Sequence, residues 1–360
     1  MAEPFKNMFN RDSLSEFARS IQTVYSPFQA DAFVASIMDE TWDQLELKAR
    51  IRKITMTLGQ NLPQDYKEAI SVIDRLAAVY KGPGVCSYPD FVEQFGQDDA
   101  NLDTSIAALG RFTQYSSSEL AIRPFIVRHE ERMMVQMYEW STHESEHLRR
   151  LASEGCRPAL PWGIALNSFK KDPTPILPIL EQLKTDPSPT VRNSVANNLN
   201  DISKTHPQLV VQLAQRWYGN HEYTDWILKH GCRTLLKQGN REVLAIFGLD
   251  DSASVEVDGF TLSALSISCG EDLSFSFSIH AAAATKVRLE YGVDYVKANG
   301  KRSRKIFQIS EIALQEGERK SYTKKHSFAD VSIRKHYPGT HSITLIVNGA
   351  EQGTLDFELS

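Results

Sequence analysis

The chain has 360 residues and a formal net charge of −5, length enough for about two domains with a large core. A mildly acidic balance excludes a protein coated in basic charge, so any nucleic-acid contact has to come from a local patch. The sequence has no run of about 18 apolar residues. Its N-terminus, MAEPFKNMFNRDSL, lacks an apolar h-region, so neither a membrane span nor a secretory signal is expected. Cys86, Cys156, Cys232 and Cys269 are far apart and form no CxxC pair, which predicts reduced core thiols in a cytoplasmic protein.

From Pro27 to about Leu249 helical patterns alternate with Pro, Gly, Asp and Asn breaks. They predict helices over Ala30 to Asp39, Leu45 to Gly59, Gln64 to Tyr80, Asp103 to Arg111, Ser118 to Arg128, Glu130 to Trp140, Glu146 to Glu154, Ile176 to Lys184, Leu209 to Tyr218 and Tyr223 to Lys237. DPSPTVRNSVANNLNDISKTHP (186–207) reads as a turn, one amphipathic helix and a stop. Val191, Val195, Ala196 and Leu199 fall at helical spacing, Pro189 marks the start and Pro207 the end. The face expected to be exposed carries Asn193, Asn197, Asn200 and Asp201 in place of a Lys/Glu mixture.

Three segments superpose. Leu148-Arg149 lies on Val191-Arg192, with Ser153 on Ala196 and Glu154 on Asn197; then Trp226 lies on Val191, Gly231 on Ala196 and Cys232 on Asn197. The offsets of 43 and 35 residues sit near the roughly 40-residue HEAT period. They predict a mainly α, HEAT-like solenoid over residues 1–250 with a concave binding surface. In that frame Trp226 reads as core, and Arg192 as either an inter-repeat ladder contact or a ligand contact.

After Asp250 the pattern changes. DDSASVEVDG is linker-like (linker 251–257), and short β-rich runs follow at 273–280, 286–296, 305–310, 321–328, 341–347 and 354–359, separated by turn residues such as Asn299-Gly300 and Asn348-Gly349. Residues 258–360 therefore predict an all-β immunoglobulin-like sandwich. Three basic clusters punctuate it: Lys301, Arg302, Arg304 and Lys305; Lys324, Lys325 and His326; Arg334, Lys335 and His336. They read equally well as edge-protecting charge or as a phosphate-binding face.

Several chemistries have no residues to run on: there is no GxxxxGK[ST], no HExxH, no Cys/His cluster at zinc spacing and no GxSxG. No metal or cofactor is expected. What remains is carboxylates in unusual company. Glu119 follows Tyr115-Ser-Ser-Ser, Glu154 lies in ASEGCRPALPW close to Arg157 and Trp162, and Asp201 ends the polar helix. On separate repeats they are able to converge on one groove; the ordinary alternative for each is a cap or surface charge. Trp162 reads as a site aromatic or as an anchor between repeats.

LRRLASEGCRPALPW, DPSPTVRNSVANNLNDISKTHP and DWILKHGCRTLLK together resemble the AlkC branch of the bacterial alkylpurine DNA glycosylases, the HEAT-like family that includes AlkD, over residues 27 to 249. The β-rich remainder looks like the immunoglobulin-like domain that some AlkC members carry. The resemblance implies a monofunctional glycosylase that hydrolyses the N-glycosidic bond of cationic N-alkylated bases, such as 3-methyladenine, in duplex DNA, without extruding the base into a deep pocket. It implies a cytoplasmic, nucleoid-associated protein whose partner is double-stranded DNA carrying alkylated bases, with no membrane and no obligate protein partner.

In AlkD-like members the essential pattern is Trp-x-x-x-Asp at a helix start. Here it appears as Tyr115-x-x-x-Glu119, so Glu119 is the first candidate for the catalytic carboxylate, with Glu154, Asp201 and Trp162 completing the site. A second family aromatic is replaced by Asn197. DNA contacts are expected from Tyr115, Arg150, Arg157, Arg192, Asn193, Asn197, His230, Arg233, Lys301, Arg302, Arg304 and Lys305, with Arg150 aligned to a phosphate-contacting arginine of the family. Two other readings of the same scaffold stand beside this one: a non-catalytic binder of damaged DNA, and a protein-interaction solenoid.

Overall fold

The computed structural model describes residues 4–330 and 335–360; Arg334 of the third basic cluster lies outside them. Two compact units are present, Met1–Thr205 and His206–Ser360.

The first unit is helical. Its first long helix, Arg11–Val24, precedes the expected start of the array at Pro27. Asn10 and Ser13 form a reciprocal capping box, and Leu14, Phe17, Ala18 and Ile21 make its buried stripe. Ser87–Phe95 and Asn167–Lys171 are too short to show a clear helical period in sequence. The expected helix 118–128 is helical only over Arg123–Arg128. Pro124 has no N–H, and in a continuous helix its ring would clash with the carbonyl of Leu120, so the helix begins beside the proline and Glu119 is left in the preceding turn.

The repeat inferred from sequence has a physical counterpart. Arg149 Nη1 donates to the carbonyls of His143 (3.0 Å) and Glu144 (2.6 Å). Arg192 Nη1 donates to those of Asp186 (3.0 Å) and Pro187 (2.6 Å). Each arginine thus braces the turn five and six residues before it. The two braces are coupled, because Asp186 also accepts from Arg149 Nε at 2.6 Å. The helices Glu146–Gly155 and Pro189–Ser203 pack together, with the side chains of Ser153 and Ser194 in contact and Asn198 Nδ2 donating to the Ser153 carbonyl at 2.8 Å.

Pro189–Ser203 differs from its expected polarity. Asn193 is exposed and Asn197 half-buried, but Asn198, Asn200 and Asp201 are buried. Neighbouring helices cover both flanks, and Asp201 tolerates burial because it is paired.

The second unit holds four helices among the described residues, Pro207–Trp217, Glu222–Gly231, Arg233–Lys237 and Arg241–Ile246, followed by eight strands. These are β1 (Val255–Leu262), β2 (Ser266–Ile267), β3 (Asp272–Ala281), β4 (Thr285–Val296), β5 (Arg302–Leu314), β6 (Arg319–Ser327), β7 (Gly339–Val347) and β8 (Ala350–Leu359). They form a three-stranded sheet β1-β3-β6 and a five-stranded sheet β2-β8-β7-β4-β5. Leu273, Phe275, Phe277 and Ile279 alternate inward from β3 against Val287, Leu289, Tyr291 and Val293 of β4 and Ile343 and Leu345 of β7.

The change from helix to strand falls between Ile246 and Val255, and β1 takes up the last residues assigned to the linker. The compact units nevertheless divide at Thr205/His206 rather than at residue 250. The last helices pack on the larger sheet: a Cβ at Gly349 would fall 2.7 Å from Leu244 Cδ1 and 3.0 Å from Gly239 Cα.

Two further corrections belong here. His326 is not a surface base but is buried, its two ring nitrogens bonded to the hydroxyls of Tyr291 (2.9 Å) and Tyr295 (2.6 Å). Cys269 is exposed rather than in the core; all four cysteines are free. Among the described residues no helix is long and apolar enough to cross a membrane.

Candidate active site

Three segments of the first unit build the site: the turn at 115–122, the helix Glu146–Gly155 with the loop after it, and the end of Pro189–Ser203. In the turn, Glu119 Oε2 accepts from Ser117 Oγ at 2.7 Å and pairs with Arg150 Nη1 at 2.6 Å; Arg150 also donates to Ser117 Oγ at 3.0 Å. Tyr115, at the head of the same turn, is partly exposed and lies under the Lys81 ammonium, 4.1 Å from its ring centroid.

Arg150 and Glu154 are four residues apart, hence one turn apart on one helix face. Glu154 Oε1 accepts from Arg157 Nη1 at 2.6 Å. The other side of the guanidinium meets Asp201, with Nε and Nη2 each 2.9 Å from Oδ2. Lys204 closes the chain at 2.9 Å from Asp201 Oδ1. Glu154, Arg157 and Asp201 are all buried. Burial works against the Arg157 charge, but the fields of Glu154 and Asp201 overcome it and raise its pKa. Arg157, expected at the DNA surface, is instead the buried bridge between two candidate carboxylates.

Sequence reasoning missed Arg123, which is completely buried. Its Nη1 donates to the Gly155 carbonyl at 2.9 Å and its Nε to the Ile164 carbonyl at 2.6 Å; Nη2 has no hydrogen-bond partner among the described residues. Burial pushes its pKa down to about 10, and the nearby Arg157 adds to that shift, against Asp201 and Glu154. The available signal was an arginine inside an apolar run, Ala121-Ile122-Arg123-Pro124-Phe125-Ile126.

Arg123 supports the loop that carries Trp162. A Cβ at Gly163 would fall 3.0 Å from Arg123 Nε and 3.3 Å from Leu120 Cδ2, so a side chain here would press on both. Trp162 has φ 65° and is 76% exposed, and its carbonyl accepts from Lys48 Nζ at 2.8 Å. Exposed to this degree, Trp162 is not an anchor between repeats. The structure therefore joins Glu154 and Asp201 directly through Arg157. It joins Glu119 to the same helix face through Arg150, and brings the Trp162 loop against the turn that bears Glu119.

The sequence profile of the DNA alkylation repair enzyme family matches residues 115–235, a span that begins at Tyr115 and contains every candidate catalytic residue. The C-terminal Ig-like domain profile of the uncharacterised protein YhaZ matches residues 256–360. YhaZ of Bacillus subtilis (strain 168) is 46% identical over 98% of this chain and 99% of its own. The Pseudomonas fluorescens alkylpurine DNA glycosylase AlkC, solved bound to DNA containing an abasic site analog, is 35% identical; it superposes with a TM-score of 0.93 over 99% of this chain and 100% of its own. The chain belongs to the AlkC family.

An AlkC fold accounts for the mainly helical part and for the all-β C-terminal region together. The residues proposed by resemblance to touch DNA have varied surroundings in this AlkC chain. In the first unit, Arg192 is engaged by the two carbonyls of its own turn, and Asn193 is exposed with Nδ2 donating to the Pro189 carbonyl at 3.0 Å.

In the second unit, Arg233 Nη1 donates to the His230 carbonyl at 2.7 Å. Trp226, expected in the core, is 43% exposed and stacked on His230. The buried stripe of its helix is Thr224, Ile227, Leu228 and Gly231, one residue out of register with the expected frame. Lys301, just before the edge strand β5, and Arg302 and Lys305 on it are exposed. Arg304 is held by Asp294 at 2.8 Å and by Glu351, and these partners raise its pKa.

Proposed function

We propose that this chain is a monofunctional DNA glycosylase that hydrolyses the N-glycosidic bond of cationic N-alkylated bases, of the 3-methyladenine class, in duplex DNA. The observation that carries the reading is the linked series Glu119–Arg150 and Glu154–Arg157–Asp201 beside an exposed Trp162, in a chain that matches AlkC along its whole length.

The chemistry asks little of the protein. A base alkylated on a ring nitrogen carries positive charge and leaves as a neutral molecule, so no acid is needed at the leaving group. The transition state places an oxocarbenium-like cation on the sugar, which a fixed carboxylate stabilises while it positions or deprotonates the attacking water. Glu119 is the partly accessible carboxylate of the series and takes that role. Glu154 and Asp201, buried and neutralised by Arg157 and Lys204, set the geometry and the local field. The face of Trp162 stabilises the cationic base or sugar. Arg123 positions the Trp162 loop.

Excision without extruding the base fits the small space available. The cavity beside Ser117 and Leu120 holds about 150 Å³, below the roughly 300 Å³ at which small-molecule sites begin. DNA contacts are assigned to Tyr115, Arg150, Asn193 and Asn197 in the first unit and to His230, Arg233, Lys301, Arg302 and Lys305 in the second.

The test is release of 3-methyladenine from methylated duplex DNA by the wild-type chain and by Glu119→Gln. Wild-type release with a loss of at least a hundredfold in the variant is expected. No release by the wild type overturns the enzymatic reading; full activity in the variant moves the catalytic role to Glu154 or Asp201.

A further inference from the structure

The second unit contains a cavity of about 400 Å³ lined by Trp226, His230, Arg233, Lys237, Arg288 and Glu311. None of the candidate catalytic residues belongs to it. The volume falls in the roughly 300–1,000 Å³ range of small-molecule sites.

Its walls combine two kinds of surface. One is aromatic. Trp226 and His230 lie one helical turn apart with their rings parallel, 5.2 Å between centroids and 5° between planes. Burial, and then the neighbouring Arg233, push the His230 imidazole below its ordinary value, so at neutral pH the pair is an uncharged stack.

The other surface is cationic. Arg288, on β4, is only 3% exposed. Its Nη2 donates to Glu290 at 2.7 Å and its Nη1 to Glu311 at 3.3 Å, while Nε has no hydrogen-bond partner among the described residues. Lys229 also pairs with Glu311. Among the described residues the lining holds four cationic side chains (Lys229, Arg233, Lys237 and Arg288) and one carboxylate, Glu311.

We propose that this cavity binds a nucleotide, with the ring of an unstacked base on Trp226 and His230 and its phosphate at Arg233 and Lys237. An aromatic platform beside cationic side chains is the combination that holds single nucleotides, because every base has a π-face and every phosphate a charge. An isolated phosphate has no use for the aromatic pair, and an apolar ligand has none for the cations. The ligand is either a free mononucleotide or one nucleotide of a strand. The observations lie in the second unit alone; two of the lining residues, His230 and Arg233, are also assigned DNA contacts under the glycosylase reading.

The full-length protein is titrated calorimetrically with AMP, with ribose 5-phosphate and with a short single-stranded oligodeoxynucleotide. AMP or the oligonucleotide is expected to bind, and ribose 5-phosphate to bind at least tenfold more weakly than whichever does. Trp226→Ala should weaken nucleotide binding by roughly tenfold or more, Trp226→Phe should retain most of it, and Arg233→Gln with Lys237→Gln should weaken it again. Binding of AMP identifies a free-nucleotide site; binding of the oligonucleotide without AMP identifies a strand site. Absence of both, or equal affinity in a folded Trp226→Ala protein, overturns the proposal. Excision of methylated bases, followed in Trp226→Ala, reports on the first-unit site separately, because Trp226 is not among the assigned DNA contacts.

Discussion

Arg123 Nε donates to the carbonyl oxygen of Ile164 at 2.6 Å across 41 residues of chain. With Nη1 on Gly155, one guanidinium fixes both the end of the helix that carries Arg150 and Glu154 and the loop that carries Trp162. Arg123→Met keeps much of the volume but strands two carbonyls. Leaving a buried polar group unpaired costs about 1–3 kcal/mol, so a loss of roughly 2–5 kcal/mol in denaturant-derived stability is expected. An unchanged midpoint would show that the loop is held by something else.

The Glu154–Arg157–Asp201 bridge is buried, so removing its centre leaves two carboxylates without their shared counter-ion. Arg157→Met is expected to destabilise the first unit by about 3–5 kcal/mol. Arg157→Met combined with Glu154→Gln and Asp201→Asn should recover part of that loss without recovering excision. Thermal unfolding and base release, measured on both proteins, separate the two effects.

Trp162 sits at φ 65°, a conformation that glycine adopts without penalty and a bulky side chain does not. Trp162→Gly is expected to hold or raise stability, by up to about 1 kcal/mol, while lowering excision of methylated bases at least tenfold. Loss of both together would mean that the ring is needed for folding.

His341 is wholly buried in the sandwich, and burial pushes it below its ordinary pKa of 6.5, with a smaller contrary effect from the bond to the Tyr337 carbonyl. The unfolded chain then binds a proton in a range where the folded unit does not, so stability rises with pH there. The second unit should be at full stability above pH 6.5, the ordinary value, and should lose it as pH falls through the folded value. Urea midpoints from about pH 7.5 to 5.5 test this, and a flat profile would contradict it. Arg302 and Glu358 also act on His341, in opposite directions, so His341→Gln is expected to reduce the slope more than neutralising either.

Lys301 and Arg302 are exposed at the start of an edge strand, Arg302 reaching Asp356 only at 3.8 Å, whereas Arg304 is tied to Asp294 and Glu351. Lys301→Gln with Arg302→Gln should weaken binding to duplex DNA and flatten its salt dependence by up to about two phosphate contacts. Arg304→Gln should act first on the stability of the strand. Equal salt slopes in all three proteins would return the cluster to ordinary edge protection.

Most helices long enough to show a stripe were legible in the sequence, Arg11–Val24 being the exception, as were the change to strands and the braced repeat at Arg149 and Arg192. Four helices of five to nine residues had no period to read, or in the case of Arg233–Lys237 merged with a neighbour. The unit boundary was hidden because packing of the last helices on the sheet leaves no local signature. At the site, Glu119, Glu154, Asp201 and Trp162 were named from residues and resemblance. Their mutual geometry was not, because it runs through Arg123 and Arg157, whose burial depends on contacts 32 to 44 residues away. An arginine in sequence looks like surface; only three-dimensional pairing turns it into core.

The exposed indole of Trp162 has a thermodynamic consequence. In the isolated protein most of its apolar area is in water, where each Å² costs about 25 cal/mol relative to burial. Whatever comes to cover it recovers that free energy without first displacing another part of the chain, and does so with a negative heat-capacity change. The free protein therefore holds Trp162, more exposed than Trp226, in water, and a surface bound over it completes its burial.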